Sequence, residues 1–183
     1  MPTVIHGFDW PDRVVVGTVG EPGSRTFYLQ AREGARSISV ALEKAQSAVL
    51  AEKIEEILDG LMAAEGNPFS IPAVAPIELV DNDPLEQPVD PQFRTGVMSL
   101  GWDPSTAQLV IEAYPFVEAD PDAPDLVATE PAEMLQVRIP VGTARAFAQR
   151  TLEIVGAGRP SCPRCGTPMD ADGHLCPLPG DLS

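Results

Sequence analysis

Cys162, Cys165, His174 and Cys176 follow the pattern C-x2-C-x8-H-x-C. Three thiolates and a neutral imidazole are the donors a tetrahedral Zn2+ takes, and both gaps between paired ligands are short enough for one ion to serve all four. Gly166 behind the second cysteine and Gly173 before the histidine let the backbone reverse tightly around the ligands. Pro160, Pro163, Pro168, Pro177 and Pro179 leave too few consecutive amides for a helix or a central strand, so coordination must supply the order that secondary structure does not. An iron-sulfur cluster asks for more cysteines than this. Four protein ligands close the coordination sphere, and closed sites are structural far more often than catalytic. Three thiolates around a divalent ion also leave a local charge near minus one, which suits neither phosphate nor other anionic substrates.

A second place for chemistry is the glycine-rich stretch Gly17 to Arg25, with Arg13, Arg25, Arg32 and Arg36 around it. Exposed backbone amides and guanidinium groups together bind anions. Against that, no Gly-Lys-Ser/Thr follows, and the loop leads into a strand pattern rather than a helix N-terminus. Turn geometry between two strands accounts for the glycines equally well. His6 is the only histidine outside the tail, and no body cysteine exists to serve as a nucleophile. Lying in an apolar strand pattern, His6 reads as a packed or hydrogen-bonded histidine rather than a base. Asp81, Asp83, Glu118, Asp120 and Asp122 lack calcium-loop spacing and read as solvated surface. Trp10 and Trp102, each beside an aspartate at a turn, read as core.

Charge narrows the partners. Lys and Arg number 12 against 27 Asp and Glu, for a formal net charge of −15. Such a surface repels phosphate backbones and anionic headgroups unless a basic patch counters it, and the basic residues occur singly or in loose pairs. Nucleic acid and membrane are therefore not expected as partners, and a protein is. All three cysteines cluster in the tail beside a histidine, which argues for metal in a reducing compartment and against disulfides. Nothing near the first residues reads as an export signal, and no apolar run approaches the roughly 20 residues of a spanning helix. The expected location is cytoplasmic.

The elements that must position these residues follow from hydrophobic period. Thr3–Phe8, Arg13–Val19, Arg25–Ala31 and Ser37–Ala41 read as strands separated by turn residues, and connections this short imply an antiparallel meander. From Leu42 to about Ala64 the period changes, with Leu50, Ile54, Ile57, Leu58 and Leu61 on one face of a helix. Residues 65–93, acidic and rich in proline, are predicted to run extended or irregular along the body, with a short edge strand near Ile77–Val80. Gly96–Trp102 and Ala107–Tyr114 flank Asp103-Pro104-Ser105-Thr106 as a hairpin. Val117–Glu133 is acidic and predicted to be a solvated excursion. Met134–Ile139 reads as a strand, and Thr143–Val155 as a second amphipathic helix.

The predicted architecture is α+β: antiparallel sheets with two amphipathic helices in a body of residues 1–158, followed by a zinc knuckle at 159–183. Two pseudo-repeated halves, each a β-meander followed by a helix, occupy about 1–64 and 94–158 and are joined by 65–93.

The stretch Gly17-Thr18-Val19-Gly20-Glu21-Pro22-Gly23-Ser24-Arg25-Thr26-Phe27-Tyr28-Leu29-Gln30-Ala31-Arg32 carries a resemblance, together with Ser39–Lys44, Gly101-Trp102-Asp103, Val110–Ala113 and the CPRCG and GHLCP segments of the tail. On these residues the chain resembles an uncharacterised actinobacterial family known as a domain of unknown function. The resemblance spans nearly the whole length and implies a cytoplasmic protein of unassigned activity. It also implies company, a phosphomutase-like protein and one distantly similar to lipid kinases, and brings no catalytic residues with it.

Two functional expectations result. One is a non-enzymatic interaction or scaffold protein with a structural zinc ion. The other is an enzyme or regulator that binds a phosphorylated small molecule through the first-half arginines, which must then converge in one cleft. The zinc expectation has a direct measurement. Protein purified under reducing, chelator-free conditions carries about one zinc per chain by elemental analysis. Cys162→Ser or Cys176→Ser loses it while the body keeps its urea transition.

Overall fold

The computed structural model describes residues 3–21, 24–117 and 131–157. The zinc-ligand residues and most of the acidic excursion, residues 118–130, lie outside them. Among the described residues, seven strands form one mixed sheet in the order β1-β7-β6-β5-β4-β3-β2. They are β1 (Val4–Asp9), β2 (Arg13–Val19), β3 (Thr26–Glu33), β4 (Arg36–Leu42), β5 (Pro91–Asp103), β6 (Gln108–Pro115) and β7 (Glu133–Pro140). Helix α1 (Lys44–Met62) follows β4, and α2 (Val141–Ala157) follows β7. The fold is α+β, with the order strand, strand, strand, helix occurring twice after β1.

Local chemistry explains most of these elements. The β3/β4 hairpin turns in two residues, Gly34 and Ala35, and Gly34 adopts the left-handed φ of +62° that the turn requires. At the start of α1, Gln46 Oε1 accepts a hydrogen bond from the Glu43 amide at 2.7 Å, while Gln46 Nε2 donates to the carbonyls of Thr95 and Gly96 at 3.1 and 2.8 Å. One side chain therefore starts the helix and fastens it to β5. The apolar stripes behave as the periodicity requires: Leu50, Ile54 and Leu58 of α1 and Ala144, Phe147 and Ala148 of α2 are buried. They share one core with Val14, Val16, Leu29 and Val40 from the first three-strand unit and Leu109, Ile111, Leu135 and Val137 from the second.

Two expectations about pairing are corrected. The sheets are not separate antiparallel meanders, because β4 pairs parallel with β5 and β1 pairs parallel with β7. Nor do β1 and β2 form a hairpin, although three residues separate them; they are the two edges of the sheet. A flat sheet of this order would hold its edges roughly 29 Å apart at the usual strand spacing. The connection through Trp10, Pro11 and Asp12 reaches at most about 14 Å. The sheet is therefore strongly coiled, and strand twist of roughly 20–25° per step supplies the curl. Trp10 joins this corner with its amide bonded to the Arg138 carbonyl and a φ of 56°.

Parallel pairing of β4 and β5 requires a crossover. It consists of α1 and a strap, residues 63–90, that contains no strand among its residues, only a 3-10 turn at Ile77–Leu79. The edge strand expected near Ile77–Val80 does not form. The strap runs past α2, rounds the β2 edge, and crosses the opposite sheet face to reach β5. On that face Leu85 is buried against Gly17, where a Cβ would lie 2.5 Å from the leucine side chain. Packing alone is thus enough to keep Gly17 small. Gly17→Ala should lower stability by about 1–3 kcal/mol through overpacking. Adding Leu85→Ala should make the two changes non-additive in urea denaturation, with the second costing less in the alanine background.

Candidate functional site

Arg13 on β2 and Arg150 on α2 meet over the strap and hold one carboxylate between them. Arg13 donates from Nε to Asp81 Oδ2 at 2.6 Å and from Nη2 to Asp81 Oδ1 at 3.0 Å. The same Nη2 reaches the carbonyls of Asp83 and Pro84 at 2.9 and 3.0 Å. Arg150 donates from Nη1 to Asp81 Oδ1 at 3.2 Å and from Nη2 to the Asp83 carbonyl at 2.7 Å. Its Nε donates at 3.0 Å to the carbonyl of Val16 on the sheet-edge strand β2, where no neighbouring strand can take it.

The electrostatics follow from this geometry. The hydrogen bond from Arg13 holds the Asp81 carboxyl below the ordinary aspartate value of 3.8, against a smaller opposing effect of burial. The same bond raises Arg13, whereas burial pushes Arg150 down. Both guanidinium groups stay charged at neutral pH.

Beside this clamp lies a cleft of about 590 Å3, walled by β2, the strap and α2. Its ionisable lining is Asp12, Glu78, Asp81 and Asp83 against Arg13 and Arg150. Carboxylates outnumber cations, and both arginines already have carboxylate and carbonyl acceptors. An anion entering here meets net negative charge, and a phosphate would have to displace the strap to gain a guanidinium.

The four arginines singled out in the sequence do not share this cleft. Arg13 lines it. Arg32 is the register partner of Arg13 on β3, but it pairs with Glu86 of the strap. Arg36 donates at 2.9 Å to the Gly7 carbonyl of β1 and stacks 4.2 Å from the Phe8 ring centroid. Arg25 precedes β3, whereas Arg32 lies near its other end, roughly 23 Å away along an extended strand. His6 Nε2 lies 3.1 Å from Glu133 Oε1 on the neighbouring strand, a partly buried structural contact. Trp102 packs edge-on against Phe69 with centroids 5.0 Å apart, but it is only partly buried and lies outside the core cluster. Trp10 departs from the core expectation and is 56% exposed. Cys162, Cys165, His174 and Cys176 lie outside the described residues, as do Glu118, Asp120 and Asp122.

Sequence reasoning missed Arg145 and Arg150. Arg145 is fully buried, donating from Nε to the Pro72 carbonyl at 2.7 Å and pairing through Nη1 with Glu55 Oε2 at 2.7 Å and Asp59 Oδ1 at 3.0 Å. A signal existed: Arg145 sits beside Ala144 and three residues before Ala148 on the apolar stripe, and Glu55 and Asp59 are one helical turn apart on the facing helix. Arg150 carried no comparable signal, because its acceptors are backbone carbonyls of distant segments and the carboxylate of Asp81, 69 residues away.

With the family model matching residues 6–176, the chain belongs to DUF3090, a family of proteins of unknown function. No curated protein and no solved structure matches it. Among the described residues, no helix is long and apolar enough to cross a membrane.

The clamp generates a pH dependence of defined sign. Asp81 has a folded pKa below its unfolded one, so its contribution is present above about 4 and is lost as pH falls through the lowered folded value. Asp81→Asn should cost about 1–3 kcal/mol at neutral pH, the range for leaving buried donors without their acceptor. The variant should also lose less stability than the parent on acidification, as measured by urea transitions at a series of pH values.

Proposed function

We propose that this DUF3090 protein is a non-enzymatic interaction or scaffold module. In this reading Cys162, Cys165, His174 and Cys176 hold one structural zinc ion, and the α+β body presents a fixed surface to a partner protein. The observation that carries the reading is the C-x2-C-x8-H-x-C spacing, whose donor set fits a closed tetrahedral site and leaves no open position for substrate. The ion, when bound, supplies folding energy to a segment whose prolines deny it regular structure.

The body supports the same reading. Arg13, Arg32, Arg145 and Arg150 all donate to acceptors within the chain, and Arg36 is occupied at the β1 edge. A site for a phosphorylated small molecule would need several of them free and convergent. The cleft beside Arg13 is instead net acidic.

The test compares affinity capture by the full-length protein and by Cys162→Ser from the same cells, with bound proteins quantified by mass spectrometry. The expected result is a stoichiometric partner on the parent that the tail variant loses. Recovery of no stoichiometric partner by either form counts against the module reading.

A further inference from the structure

The surface around the acidic cleft combines three features that arise separately. Trp10, one residue before the cleft-lining Pro11, is 56% exposed and has a φ of 56°. A bulky residue rarely adopts left-handed backbone. On the strap, Val74 and Ile77 are exposed at 70% and 88%, and Val80 is half exposed. These aliphatic side chains stand on backbone that is held in place: the Ala75 amide donates to Gln149 Oε1 at 2.9 Å, and Asp81 lies between Arg13 and Arg150. Apolar groups displayed on a fixed scaffold lose little freedom when a partner covers them.

The third feature is charge. Asp81 offsets part of the Arg13 and Arg150 charge, while Asp12, Glu78 and Asp83 make no ion pair among the described residues. The cleft therefore favours an entering cation. Its volume of about 590 Å3 accepts a long side chain. A second copy of this chain, at a net charge of −15, is repelled, and so is a nucleic acid.

We propose that Trp10 and Ile77, next in sequence to the cleft-lining Pro11 and Glu78, and Val80, which lines the acidic cleft itself, form with that cleft the docking surface for a partner protein segment that inserts a lysine or arginine flanked by apolar residues. The proposal rests on the interaction-module reading and supplies its surface and the chemistry of its partner. Tryptophan at the margin of a cleft is the kind of anchor that dominates binding energy, and the carboxylates direct the register of the basic side chain.

The experiment uses the full-length, zinc-loaded protein as bait for a phage-displayed library of random dodecapeptides. Enriched peptides should carry Lys or Arg beside large apolar residues. Synthetic versions should bind at least about tenfold more weakly to Trp10→Ala and to Ile77→Asp, a hot-spot-sized effect. Glu78→Lys and added salt should weaken them as well. Val97→Asp, which changes another exposed apolar residue, on β5, should leave binding unchanged. Ile77→Asp is informative because it adds negative charge, so weaker binding of a basic peptide must come from the lost apolar contact. Urea transitions matching the parent establish that these surface variants fold.

Equal binding to parent, Trp10→Ala and Ile77→Asp overturns the surface. If binding is instead lost in Cys162→Ser alone, the surface is overturned while the module reading stands. Enrichment without basic residues overturns the partner chemistry, and no enrichment over empty support overturns surface and module together.

Discussion

The strap of residues 63–90 must cross the molecule without a strand of its own, and the rest of the structure depends on how its backbone is satisfied. Backbone amides and carbonyls that leave water need partners, and a chain so interrupted by proline cannot make a ladder. The partners here are side chains. Arg145 and Gln149 of α2 take the Pro72 carbonyl and the Ala75 amide. Arg13 and Arg150 take the carbonyls of Asp83 and its neighbours, and Gln30 bonds to both the amide and the carbonyl of Glu86. Each contact joins residues far apart in sequence, so the strap ties α2 to β2 and β3 as well as connecting α1 to β5.

The same arginines manage the sheet. A mixed sheet with two edges three residues apart has to coil, and its edge carbonyls then face space that no strand can fill. Arg150 takes the Val16 carbonyl on β2, and Arg36 takes that of Gly7 on β1. Among the described residues, seven guanidinium groups, those of Arg13, Arg32, Arg36, Arg94, Arg138, Arg145 and Arg150, are committed to the body's own backbone and carboxylates. In a chain with so few cations, that commitment leaves the exterior strongly negative. The surplus that reads as repulsion toward nucleic acid is, at the cleft beside Arg13, the charge on which the proposed docking of a basic side chain rests.

Buried charge accompanies this design at the helix pair. Arg145 lies fully buried against Glu55 and Asp59, and its Nη2 and Glu55 Oε1 have no partner among the described residues. An ion pair of this kind adds little net stability over a well-packed apolar substitute. A shift of α2 along α1 would nevertheless strand the guanidinium away from Glu55 and Asp59. The Pro72 contact extends that constraint to the strap.

The sequence by itself determined the element types, the two apolar helix stripes and the α+β class, because hydrophobic period and turn chemistry are local properties read within a few residues. It also contained the tail's donor pattern, since ligand spacing is likewise local. Only the tertiary structure decided that β1 belongs beside β7, that β4 and β5 run parallel, and that Arg13 and Arg150 share Asp81. Those arrangements pair segments tens of residues apart, and their selection comes from sheet twist, the short Trp10–Asp12 connection and the need to satisfy the strap's backbone. Trp10 shows the division most clearly: an aromatic beside a turn has the composition of a core residue, and its exposure follows from the left-handed corner at which the coiled sheet brings its two edges together.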